Sequence, residues 1–157
     1  MAIETKHDLD EATIDKLQDL IQVNIDSEKG FTEAAKEIDD VTVGALFQEL
    51  AGQRGRNAAQ LQESVKWNGE KAQEEGSFAA AFHRTWLDLR SKLNGGDAYV
   101  ILCEAERGED HIKKAYEDAL KATSGSAMND VLTRQYADVK AGHDRVRDLR
   151  DMYAQKD

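Results

Sequence analysis

Residues 102–120 read LCEAERGEDHIKKAYEDAL. Leu102, Ala105, Glu109, Ile112, Tyr116 and Ala119 recur in alternating steps of three and four. That spacing is the seam of a helix packed on other helices. One seam position is a glutamate. A carboxylate buried there needs a cation beside it, because an unpaired buried charge is costly.

The same pattern continues in both directions. Downstream, Thr123-Ser124-Gly125-Ser126 is a tight connection, and Met128, Leu132, Gln135, Val139, Gly142, Val146, Leu149 and Tyr153 form a second seam. His143 lies on its flank. Upstream, Asp97 caps the helix that holds Glu109, and Asn94-Gly95-Gly96 stops the one before it. That shorter helix starts at Ser77 and carries Phe78, Phe82, Trp86, Leu89 and Leu93 on one face. Before it, a polar loop follows Asn68-Gly69. The preceding helix is capped by Asp40 and has the stripe Val43, Phe47, Leu50, Leu61 and Val65, broken midway by Gln53, Arg54 and Asn57. The first helix spans about residues 9–39, with Asp8 as its cap and Glu11 three residues on. Its stripe of Ile14, Leu17, Ile21, Phe31, Ala35 and Ile38 passes through Asn24 and Glu28. Residues 1–8 are expected to be a flexible lead, and residues 9–157 a single domain.

The chain has 157 residues and no proline, which suits long uninterrupted helices. Its net charge of −10 opposes nucleic-acid binding, since phosphates need a basic surface. A lone cysteine, Cys103, rules out an internal disulfide framework and fits a reducing cytoplasm. It is expected to be a buried, inert thiol. No apolar signal region opens the sequence, and no stretch approaches the roughly 20 apolar residues of a membrane span.

Short connections make successive helices antiparallel, so the helix holding Glu109 runs parallel to the one holding Arg54. The expected fold is all-α: a ferritin-like four-helix bundle with a short crossover helix between its second and third long helices. Polar residues and glycines gather halfway along each long helix. Asn24, Asp26, Gln53, Arg54, Asn57, Glu109 and His143 are expected to form a buried polar network, with Arg54 neutralising Glu109. Gly30, Gly52, Gly55, Gly108 and Gly142 lie in or beside that layer and are expected to permit close helix approach. Counting outward from the turn near residues 124–125 sets Glu106 opposite His143.

The same layer supports a metal-site alternative, a ferritin-type iron or manganese protein using Glu28, Glu106, Glu109 and His143. A dinuclear carboxylate site needs four carboxylates and two histidines, with a Glu-x-x-His pair on each of two helices. Here Lys140 stands three residues before His143, and the helix carrying Arg54 has no histidine. No cofactor is therefore expected, and a divalent metal is the alternative.

Five stretches carry a family resemblance: DLIQVNIDSEKGFTEAA, LFQELAGQRGRNAAQLQESV ending in WNG, GSFAAAFHRTWLDL, AERGEDHIKKAYEDAL and VKAGHDRVRDLR. Together they resemble an uncharacterised bacterial four-helix-bundle "domain of unknown function" family of the ferritin-like superfamily, over about residues 9–152. The resemblance implies the fold and supplies no activity. The expected function is that of a non-catalytic, stress-related module that self-associates, as a dimer or larger homo-oligomer, or binds a protein partner.

Overall fold

The computed structural model describes residues 4–75 and 97–154. They form four long helices: α1 (Glu11–Glu37), α2 (Val41–Trp67), α3 (Ala98–Ala122) and α4 (Asn129–Ala154). Each is roughly 40 Å long at the usual rise of about 1.5 Å per residue. The expected crossover helix from Ser77 to Leu93 lies outside the described residues. None of the described helices is long and apolar enough to cross a membrane.

Local chemistry sets the helix ends. Asp40 accepts a hydrogen bond from the Val43 amide at 2.9 Å and starts α2. Asp97 does the same for α3 through the Tyr99 amide at 2.9 Å. Asn68 closes α2, and Gly69 follows at φ +75°, a conformation that favours glycine. Gly125, at φ +81°, does the equivalent in the α3–α4 connection. The start of α1 differs from expectation. Asp8 does not cap it, because residues 5–8 close a small backbone bridge, with the Asp8 amide donating to the Thr5 carbonyl at 3.0 Å. Asp10 occupies the cap position without a side-chain bond of its own. Glu4 takes over that work, accepting from the Asp10 amide and the Thr13 hydroxyl, each at 3.0 Å. The same carboxylate accepts from Ser126 at 2.5 Å and the Ala127 amide at 2.8 Å. Residues 4–8 of the lead are thereby tied to the α3–α4 connection through Glu4. Burial pushes the Glu4 carboxyl up, but these four hydrogen bonds together hold it below its ordinary value.

Helix directions follow from contacts at the two ends. Tyr153 donates to Asp40 at 2.7 Å at one end, and Lys6 pairs with Asp130 at 3.0 Å at the other. α1 packs along α2 and α3 along α4, with α1 also lying against α3 and α2 against α4. α2 and α3 therefore run parallel.

Among the described residues, two apolar cores fill the interior. One holds Leu17, Leu20, Ile21, Leu61, Val65, Ile112, Leu132 and Val139, towards the α3–α4 connection. The other holds Phe31, Phe47, Leu50, Ile101, Leu102 and Val146, with the Phe31 and Phe47 rings 5.1 Å apart. A slab of buried polar side chains separates them, halfway along every helix.

Candidate functional site

The slab is built from residues that a plain bundle would have made aliphatic. Arg54 on α2 and Glu109 on α3 are both completely buried, and Arg54 Nη2 meets Glu109 Oε2 at 2.5 Å. Gln53 accepts a second hydrogen bond from Arg54 Nη1. Burial pushes the Glu109 carboxyl up, while the adjacent guanidinium pulls it back towards the ionised form. Arg54 Nε and Glu109 Oε1 have no hydrogen-bond partner among the described residues. Such a pair is only partly satisfied, so its net stabilisation is small.

Beside the ion pair runs a relay through all four helices. Asn24 Nδ2 on α1 donates to the Tyr116 hydroxyl on α3 at 2.8 Å. That hydroxyl donates to Gln135 Oε1 on α4 at 2.7 Å, and Gln135 Nε2 donates to Gln60 Oε1 on α2 at 2.8 Å. Gln135 also reaches the Asn57 carbonyl at 3.5 Å. Burial raises the Tyr116 phenol far above its ordinary range, so it stays a neutral donor.

The expected network residues divide into separate groups. Arg54, Gln53 and Glu109 come together, and Asn24 and Asn57 join the tyrosine relay. Asp26 is buried on α1, but two residues from Asn24 is about 200° around a helix, so it faces away from that relay. His143 does not enter the slab's hydrogen bonds. Its Nε2 lies 2.6 Å from Asp110 Oδ1, and its Nδ1 lies 3.2 Å from Asp144 Oδ1. Glu106, expected opposite His143, lies near it, with ligand atoms within 4.8 Å, and pairs with Arg150, while Asp110 is the residue that contacts the ring. The cause is the connection, which runs on to Met128 before α4 begins. Its centre shifts towards the C-terminus, and each α3 residue meets a later α4 residue.

Of the four expected metal ligands, Glu106 and His143 lie close together, joined by Asp110, with ligand atoms all within 4.8 Å of one another. Glu109 is committed to Arg54. Glu28 sits in a groove of about 410 Å³ between α1 and α2, lined also by Thr32, Gln48 and Gly52. Gly55 leaves room there for the Glu28 carboxylate. Sequence reading missed Tyr116, Gln135 and Gln60 as a relay, and Asp110 as the partner of His143. The signals were present: a tyrosine and a glutamine in apolar seams, and an acid four residues after Glu106 on the same helix face.

Other candidates resolve simply. His111 is exposed on α3. Cys103 is half-buried, not sealed in the core. Trp67 is half-exposed and faces the His7 ring at 5.3 Å.

The glycines do not share one purpose. A Cβ on Gly142 would come within 2.8 Å of Leu50 and 3.3 Å of both Arg54 and Glu109. At Gly108 it would meet nothing within 4 Å, and at Gly52 only the tip of Arg56. Close approach is thus required at Gly142, where the α4 backbone covers the ion pair. Gly142→Ala is expected to lose about 1–3 kcal/mol by overpacking, against a gain of about 1 kcal/mol in helix propensity. Gly108→Ala is expected to gain about 0.5–1 kcal/mol. Urea unfolding of the two variants checks the contrast, and equal shifts in one direction would refute it.

Residues 12–122 match the family model described as Domain of unknown function (DUF2383). The match covers well over half of the chain, which belongs to that family. No curated protein matches the chain.

Proposed function

We propose that this DUF2383 protein is a non-catalytic helical bundle that acts through its surface, by self-association or by holding a protein partner. The observation that carries the reading is the buried Arg54–Glu109 pair. It fills the place where a ferritin-type iron or manganese protein would collect carboxylates and histidines around two ions. The donor set at the centre does not fit that chemistry. A guanidinium holds the carboxylate that would bind metal, the helix opposite supplies no histidine, and Glu28 lies in a separate groove. One long connection between parallel α2 and α3 supports kinship with the ferritin-like scaffold, without its dinuclear centre.

A surface suited to association lies at the end of the bundle where α2 and α3 begin and α4 finishes. Val41 is 85% exposed and Met152 60%, with Tyr99 exposed at the same end. End-to-end contact between two copies would bury these side chains while keeping the acidic flanks apart. Side-by-side packing of chains with net charge −10 would bring those flanks together.

Light scattering across a concentration series tests the association. The expected result is a mass above the 17.5 kDa monomer, restored to monomer by the double variant Val41→Ser, Met152→Ser. Elemental analysis with iron-dependent oxygen consumption tests the rest. Two tight irons per chain, lost on Glu109→Ala, would make the protein a ferritin-type enzyme.

A further inference from the structure

We propose that Glu106, Asp110 and His143 form a mononuclear site for a divalent transition-metal ion, on the α3–α4 flank and separate from the buried Arg54–Glu109 pair. Glu106 and Asp110 stand one helical turn apart on α3, and α4 brings the imidazole against them. Each offers one ligand atom, and all three atoms lie within 4.8 Å of one another. Ligands on one ion at about 2.0–2.2 Å from it are separated by about 3–4.4 Å, so small side-chain movements complete the set. The ion would take the place of the direct His143 Nε2–Asp110 contact, and waters would fill the remaining positions.

A second, independent observation points to the same ligand. The His143 side chain is only 10% exposed, and its other ring nitrogen is held by Asp144 at 3.2 Å. A carboxylate on the far nitrogen fixes ring orientation and tautomer, as it does for metal-binding histidines generally. Asp144 is itself held by Arg147 at 3.3 Å and Lys140 at 3.9 Å. One imidazole with two carboxylates favours zinc or iron(II) over calcium, which prefers all-oxygen sites.

Arg150 is the built-in competitor. It pairs with Glu106 and, at 2.9 Å, with Asp151. Metal entry requires it to leave Glu106, and Asp151 is already placed to keep it.

Calorimetric titration of the untagged full chain, stripped with a chelator, with Zn2+ and with Ca2+ tests the site. One Zn2+ per chain is expected, with far weaker Ca2+ binding. Asp110→Asn and His143→Gln are each expected to weaken Zn2+ by at least about tenfold, and Asp144→Asn by about 10–100-fold. Asp110 is 62% exposed, so its variant folds even if the histidine variant does not. Arg150→Ala is expected to tighten binding several-fold by freeing Glu106. Absence of Zn2+ binding, binding unchanged by Asp110→Asn, or Ca2+ binding as tight as Zn2+ would each overturn the assignment.

Discussion

Arg54→Met is expected to destabilise the protein by about 3–5 kcal/mol, because it leaves the Glu109 carboxylate buried without its cation. Both side chains are fully enclosed and joined at 2.5 Å, so no rearrangement short of opening the bundle brings water to the stranded acid. Glu109→Leu alone is expected to cost a similar amount by stranding the guanidinium. The double variant should differ. Removing both charges removes both desolvation costs, and the new side chains continue the apolar cores on either side. One atom of each partner already lacks a hydrogen bond, which lowers the value of the native pair further. The double variant is expected within about 1 kcal/mol of the parent, or above it. Urea unfolding of the four proteins completes the cycle. Additive losses would mean that the pair does not act as a unit.

The ion pair could be found in the sequence because the seams are regular. Glu109 interrupts a strict heptad, and Arg54 interrupts the stripe of Val43, Phe47, Leu50 and Leu61. A break in each pattern at the same height gives two opposite charges one place to meet. The helices and the caps at Asp40 and Asp97 were legible for similar reasons, since each depends on a few neighbouring residues. The His143 environment was not. Its level on α3 depends on where the connection ends, and a shift of a few residues moves the partner from Glu106 to Asp110. Nor was the anchoring of Glu4, whose partners Ser126 and Ala127 lie more than a hundred positions away and have no periodicity to announce them. Periodic patterns predict which face is buried. They do not predict which polar group completes another across the bundle.

The tyrosine relay shows what such completion is worth. Tyr116→Phe is expected to lose about 2–4 kcal/mol while changing almost no volume, since each buried group left without a partner costs about 1–3 kcal/mol. Asn24 would lose its acceptor on α3, and Gln135 Oε1 would lose its donor, both inside the bundle. The loss should exceed that of an ordinary buried hydroxyl because one oxygen links α1 to α4 and, through Gln135, to α2. A second variant separates this from simple packing. Combining Tyr116→Phe with Gln135→Met removes one stranded acceptor and should recover part of the loss, leaving Asn24 as the main remaining cost, since Gln60, which also loses its donor, is exposed to water. Hydrogen exchange in α1 and α4 adds a spatial check. Protection should fall near Asn24 and Gln135 and hold near Phe31 and Phe47, in the other core. A loss below about 1 kcal/mol, or a double variant less stable than Tyr116→Phe alone, would show that the hydroxyl is not what binds the four helices at this level.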